Sequence, residues 1–217
     1  MLIVFDLDGT LVDSRRDLAD AANALLVERG GAPLPIDRIA AMVGEGAALL
    51  VRRALAAAGL DPEPPEALQR FLALYDQRLL NHTTLYDGIA GALATLQPRA
   101  DLAVLTNKPT VPSERILEGL GIARAFRWIV GGDGPFPRKP DPAALRELMR
   151  RAETTPDDTV MVGDSAIDVR TAHAAGVRVC LARYGFGYRL DAADLRGDEL
   201  LVDSPHELPR LIGAPPD

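Results

Sequence analysis

A chain of 217 residues, 47% hydrophobic and 25% charged, has the composition of a folded globular protein, with length for one large α/β domain or a core carrying a small insert. Its 24 basic side chains stand against 31 acidic ones, and the formal charge of −7 argues against nucleic acid or a membrane surface as partner, though not against a locally positive pocket for a small anion. No uncharged apolar run approaches a bilayer span, the start from Met1 to Asp6 lacks the basic flank of a signal peptide, and the one cysteine, Cys180, forms neither an internal disulfide nor a thiolate zinc site, which fits a reducing cytoplasm.

Residues 2–6 read as a short buried strand that ends abruptly in Asp6-Leu7-Asp8-Gly9-Thr10. Helical periodicity follows: Leu18, Ala22, Leu25 and Leu26 share a face, and Gly30-Gly31 stops the helix. After a proline-containing turn at 33–35, an apolar segment is interrupted by Gly44 and Gly46 before Leu50, Val51, Ala54, Leu55 and Ala58 form another helix face. Pro62, Pro64 and Pro65 break the chain, and Leu68, Phe71, Leu72, Tyr75 and Leu79 make the next stripe. Residues 15 to about 83 therefore predict a bundle of amphipathic helices with no strand between them. From Gly88 onward, β-rich runs at 101–106, 127–131, 158–163, 177–181 and 199–202 alternate with helices, one from near Val111 to Gly121 and another from Asp164 to Gly176. This alternation predicts a parallel sheet covered on both faces, with the helical block inserted after its first strand. Ala214-Pro215-Pro216-Asp217 reads as a loose tail.

Asp6 and Asp8 stand two apart where the first strand ends, the position at which α/β sheets place ligand sites. Side chains at i and i+2 of an extended chain point the same way, so both carboxylates can meet one ligand, and Gly9 permits a tight turn beside them. A carboxylate ending an apolar strand is costly to bury without a cation, which marks Asp6 as functional. Asp13, Ser14 and Asp17 read instead as local structure, with Ser14 and Asp17 forming a capping box for the next helix.

Complementary chemistry stands at three later strand ends. Leu105-Thr106-Asn107-Lys108-Pro109 offers a hydroxyl and backbone amides at a helix entrance, a cradle for phosphate. Lys139, in Arg138-Lys139-Pro140-Asp141-Pro142, precedes a proline-initiated helix; it and Lys108 are the only lysines in a chain otherwise reliant on arginine. Asp164 and Asp168 lie at i and i+4, on one helix face beside a strand end. Each alone reads more simply as a helix cap or a surface charge; their joint order along the strand ends does not.

With these residues in this order the chain resembles the haloacid dehalogenase-like superfamily of phosphotransferases. The run from Asp6 to Ser14 is similar to the signature that holds the family's nucleophilic aspartate and its acid/base; Thr106 matches the second motif, Lys139 the third, and Gly163-Asp164 with Asp168 the fourth. The stretch from Val43 through Gly44-Glu45-Gly46 to Leu55, with Thr106-Asn107-Lys108-Pro109 and Tyr184-Gly185-Phe186-Gly187, resembles the phosphoglycolate phosphatase branch. Leu85-Tyr86-Asp87-Gly88 departs from it, lacking prolines around the tyrosine at the return hinge. The resemblance implies an α/β fold: a Rossmann-like doubly wound parallel sheet core at 1–14 and 84–217 with an inserted α-helical cap domain at 15–83, in a cytoplasmic monomer or homodimer.

It also implies a phosphatase that hydrolyses a small phosphomonoester, 2-phosphoglycolate first, through an aspartyl phosphate. Another small sugar or acid phosphate, or a sugar-phosphate mutase reaction, is the alternative. A bare carboxylate is repelled by such a substrate, since a dianion ~4 Å away costs roughly 8 kcal/mol at an effective dielectric of 20. Abundant hard oxygen ligands and scarce His and Cys point to Mg²⁺ as the cation. The implied ligands are Asp6, the backbone carbonyl of Asp8, and Asp164, with Asp168 holding a water or orienting Asp164. Lys139 balances charge and fixes the nucleophile Asp6, while Asp8 protonates the leaving alkoxide and then activates water. Thr106 and the Asn107 amide hold phosphoryl oxygens; Gly44, Glu45 and Gly46, with Arg53, are candidates for contact with the organic part. His82, His173 and His206 lack ligand spacing, and Cys180 reads as a buried strand residue. The absence of lysine from residues 15–107 excludes a Schiff-base phosphonate hydrolase, Asp8 argues against a dehalogenase, and Asp6 on the first strand argues against a signalling receiver domain.

Overall fold

Strand β1 (Leu2–Phe5) is buried along its whole length in the computed structural model, which describes residues 1–212. The chain then turns tightly into a two-residue strand, β2 (Val12–Asp13). Helices α1 (Arg15–Glu28), α2 (Ile36–Ala40), α3 (Ala47–Ala57) and α4 (Ala67–Asp76) follow without a strand between them, and the chain returns through β3 (Thr84–Leu85). The remainder alternates as read from the sequence: α5 (Ile89–Leu96), β4 (Asp101–Leu105), α6 (Thr110–Gly119), β5 (Trp128–Val130), α7 (Ala143–Ala152), β6 (Thr159–Gly163), α8 (Ala166–Ala175), β7 (Arg178–Ala182), β8 (Leu200–Val202) and α9 (Leu208–Ile212).

Six strands form one parallel sheet in the order β5-β4-β1-β6-β7-β8. The chain builds outward from β1 to β4 and β5, then crosses back to build β6, β7 and β8 on the other side. The reversal falls at β1, so the crevice beyond the carboxyl ends of β4, β1 and β6 is the natural ligand position. Alternation along the strands covers both faces. Ile3, Phe5, Leu102, Val104, Val160, Val162 and Cys180 enter one apolar cluster, which continues through α5 and α9 into the four-helix segment. Leu2, Val4, Ala103, Leu105, Met161 and Val179 enter a second beneath α7 and α8. A parallel sheet buried on both faces has this pattern because its βαβ crossovers put helices on each side.

Within the helical segment α1 packs against α2, α3 and α4. On α3 the buried residues are Leu50, Val51, Ala54 and Leu55, as the periodicity requires. On α4 the buried stripe is Phe71, Leu74 and Tyr75, whereas Leu68 is 39% exposed, so Leu74 rather than Leu68 completes it. A second difference is the antiparallel pair β2–β3, with Val12 opposite Leu85 and Asp13 opposite Thr84, which closes the segment at its base. Strands of two residues carry no periodicity, and their pairing arises only when the chain ends of the segment meet. The tail reading for residues 214–217 lies outside the described residues.

Candidate active site

The carboxyl ends of the central strands converge on one acidic centre. Asp6 follows β1, Asp164 follows β6, and Asp168 lies in the first turn of α8; their carboxylate oxygens come within 4.8 Å of one another, and all three residues are buried. Asp164 precedes the helix rather than sharing a face of it with Asp168, because Ser165 is the N-cap of α8. The capping box expected at Ser14 and Asp17 forms here instead. Asp168 Oδ2 accepts from the Ser165 amide at 3.1 Å and from its hydroxyl at 2.6 Å, and Asp168 Oδ1 accepts from Lys139 Nζ at 2.6 Å. With both oxygens engaged, Asp168 positions Lys139 and the start of α8. Ser14 makes no side-chain cap; its hydroxyl donates to Asp8 Oδ1 at 2.6 Å. Asp17 is buried and binds the return segment, accepting from the amides of His82 and Thr83.

Lys139 Nζ also stands 2.9 Å from Asp6 Oδ1 as an ion pair, without the direction of a hydrogen bond, and that oxygen has no hydrogen-bond partner among the described residues. Asp6 and Asp168 thus share one ammonium, and Asp164 adds a third buried carboxylate beside them. Burial pushes the Asp6 carboxyl up to about 6 against the pull of Lys139, with Asp168 and Asp8 adding to the rise. Asp164 is raised well above the usual carboxylate range by burial and by Asp168 and Asp6. Burial opposes the charge on Lys139, but Asp168 and Asp6 outweigh it and hold the ammonium protonated above the usual lysine range. Such a set, all hard oxygen and short of positive charge, fits a divalent cation held by Asp6 and Asp164. Glycines let the backbone approach it. Gly9 has φ +85°, and a Cβ there would lie 1.9 Å from Asp164 Oδ2; from the other side the Gly187 amide donates to Asp164 Oδ2 at 2.7 Å.

Above the acidic centre lies a cavity of about 50 Å³ between the sheet and the helical segment. Asp6, Asp8 and Thr106 line its floor, and Leu18, Val43, Leu50, Phe71 and Tyr75 line the helical side, with Gly44 and Gly46 at its edge. Thr106 Oγ1 accepts from the Lys108 amide at 3.2 Å. The Asn107 side chain bridges two segments, donating to Gly44 O and Lys139 O at 3.0 Å each. Glu45 is not brought to this cavity; it pairs with Arg53 at 2.5 Å on the surface, so neither reaches the acidic centre. The Asp8 carboxylate is absent from the acidic cluster as well, which leaves only its backbone carbonyl for the metal role read from the sequence. Its Oδ2 accepts from Lys108 Nζ at 2.8 Å. From the sequence Lys108 carries no catalytic or binding role; its rarity in this chain and its place in the run Thr106-Asn107-Lys108-Pro109 are the signals available. The turn 184–187 was likewise without a role, yet Tyr184 donates to Thr10 O at 3.0 Å and Phe186 lines the cavity.

Residues 3–182 match the family model of haloacid dehalogenase-like hydrolases. The chain belongs to this family. It is 46% identical over 192 residues to a phosphoglycolate phosphatase of Rhodospirillum rubrum, a match covering 85% of this chain and 80% of that one. With phosphoglycolate phosphatase 1 of Pseudomonas aeruginosa it shares 40% over 214 residues, covering 95% of this chain and 78% of the relative. Among solved structures, a predicted phosphoglycolate phosphatase from Haemophilus somnus superposes with a TM-score of 0.89 at 31% identity, with 96% of each chain covered. The family's α/β sheet is the one described above. Among the described residues, no helix is long and apolar enough to cross a membrane.

Proposed function

We propose that this haloacid dehalogenase-like hydrolase is a Mg²⁺-dependent phosphatase that converts 2-phosphoglycolate to glycolate and phosphate. The observation that carries the chemistry is Asp6: a buried carboxylate at the floor of a small cavity, with one oxygen paired to Lys139 and lacking a hydrogen bond. The substrate follows from the relatives named phosphoglycolate phosphatase.

Asp6 attacks phosphorus in line, forming an aspartyl phosphate as the ester P–O bond breaks. Lys139 fixes the Asp6 carboxylate, and Asp168 fixes Lys139. Asp8 gives its proton to the departing glycolate oxygen, then takes one from the water that attacks phosphorus and frees Asp6. The Thr106 hydroxyl and the Asn107 backbone amide hold phosphoryl oxygens, as preorganised donors do where charge accumulates. Mg²⁺, held by Asp6, Asp164 and the Asp8 carbonyl, supplies the positive charge that offsets repulsion between nucleophile and phosphate. The segment 15–83 acts as a cap that excludes water during the first step and opens for the second. Phosphate release from a panel of small phosphomonoesters, with Mg²⁺ and with chelator, tests the reading. Mg²⁺-dependent release that prefers 2-phosphoglycolate supports it, and equal turnover of many esters removes the substrate assignment while keeping the chemistry.

A further inference from the structure

The cavity floor is rich in carboxylates, yet the proposed leaving group carries one of its own. A second anion enters such a site only beside a cation. Among the lining residues there is one candidate, Lys108; among the described residues no arginine or histidine lines the cavity, although arginine supplies nearly all the basic residues of this chain. Lys108 is 7% exposed, and its Nζ donates to Asp8 at 2.8 Å and lies 4.6 Å from the centre of the Tyr75 ring. An ammonium carries three N–H donors; besides Asp8 it faces the Tyr75 hydroxyl, which leaves donor capacity for a ligand in the cavity it lines. Tyr75 comes from α4 in the helical segment, is 3% exposed and lines the same cavity, and its hydroxyl faces the Lys108 ammonium but finds no acceptor for its own proton among the described residues. A buried hydroxyl without an acceptor is costly unless a ligand completes it.

We infer that Lys108 and Tyr75 form a subsite for the carboxylate of the leaving group, one donor from the sheet side and one from the helical segment. The assignment rests on the phosphatase reading and extends it to the residues that select an anionic leaving group. Lys108 bridges Asp8, at the reacting end, and the subsite, so the same ammonium spaces the carboxylate from the phosphoryl group. The Tyr75 contribution exists only while α4 lies over the sheet, which couples recognition of the carboxylate to closure of the segment.

The test compares kcat and KM for 2-phosphoglycolate and for 2-hydroxyethyl phosphate, an ester of similar size whose leaving group is uncharged. In wild type the carboxylated ester is preferred. Lys108→Met lowers kcat for both esters through its contact with Asp8, and beyond that shared loss raises KM for 2-phosphoglycolate, so that the preference falls about 20-fold or more; Lys108→Arg restores part of the preference. Tyr75→Phe, which keeps the ring beneath Lys108 and the packing of α4, lowers the preference about 5-fold. Parallel losses on both esters assign Lys108 to Asp8 alone and overturn the inference, as does an unchanged preference in both variants. Wild type that hydrolyses both esters equally well also overturns it while leaving the phosphatase reading intact; wild type that hydrolyses neither removes that reading. Because Lys108→Met removes a buried charge, competition by glycolate against 2-hydroxyethyl phosphate in wild type gives a measure free of folding effects: glycolate inhibits, 1,2-ethanediol does not, and equal potency contradicts the subsite.

Discussion

Asp17 Oδ2 accepts hydrogen bonds from the backbone amide of Thr83 at 2.8 Å and from its hydroxyl at 2.7 Å. The amide of His82 adds a third at 2.9 Å. One buried carboxylate oxygen thus ties the first turn of α1 to the chain returning toward β3, and fixes both ends of the helical segment over the sheet. Asp17→Ala leaves these donors without their acceptor and is expected to lower the unfolding free energy by about 3 kcal/mol, whereas Thr83→Val, which removes only the hydroxyl, costs about 1 kcal/mol. Urea midpoints of the two variants check the order. An Asp17→Ala protein as stable as wild type would show that this clamp contributes nothing.

The strand ends were legible because Asp6, Thr106 and Asp164 each terminate an apolar run, where a polar side chain has no packing reason to stand. What one sequence concealed were partnerships over long separations. Ser14 and Asp17 have the spacing of a capping box, and only the fold reveals that one faces Asp8 and the other Thr83. The box forms at Ser165 and Asp168, an acid whose spacing from Asp164 suggests a role toward water or Asp164. Tyr75 fits an apolar helical stripe, and nothing in that stripe reports a lysine 33 positions later beneath its ring. Glu45 stands between Gly44 and Gly46, which line the cavity, yet its own side chain pairs with Arg53.

Asp6→Asn separates the cost of the acidic centre from its use. The proposed nucleophile is lost, and turnover is expected to fall at least about 10³-fold. Burial outweighs Lys139 in setting the proton affinity of Asp6, so the charged form is held at a cost to the metal-free fold. A neutral amide relieves that cost, and the melting temperature in chelator should rise, by about 2–4 °C for each kcal/mol recovered in a chain of this size. Calorimetry beside phosphate release decides it: a variant that loses activity and also melts lower would mean that the Lys139 pair outweighs burial.

The same carboxyl gives a pH dependence with a definite sign. Its folded value of about 6 lies above the ordinary 3.8, chiefly through burial. Between these values the folded protein binds more protons than the unfolded chain, so metal-free stability falls as pH rises through this window and the loss is complete above it. Asp164, raised for the same reason, extends the fall in the same direction. A divalent cation replaces the missing protons, and Mg²⁺ should raise the melting temperature more near pH 7.5 than near pH 5. Thermal melts in saturating Mg²⁺ and in chelator at both values provide the check; an equal or larger Mg²⁺ effect at the acidic value contradicts this linkage.

Gly9 carries the last prediction. Its φ of +85° is one that side-chain-bearing residues rarely adopt, and a Cβ there would meet Asp164 Oδ2 at 1.9 Å and Cγ at 2.6 Å. Asp164 cannot simply move aside, because the Gly187 amide holds the same oxygen and a Cβ on Gly185 would lie 2.3 Å from Asp164 Cβ, so the turn 184–187 walls it in. Gly9→Ala must therefore displace either the loop bearing Asp8 or the carboxylate proposed to bind the cation. The expected result is a 10-fold or greater weakening of Mg²⁺ activation, read from the Mg²⁺ dependence of phosphate release at saturating substrate. Gly44→Ala is the control: that glycine also has positive φ, but no atom lies within 4 Å of its Cβ position, so it bears the backbone strain without the clash. If the two variants respond alike to Mg²⁺, strain and not the approach to Asp164 accounts for the effect.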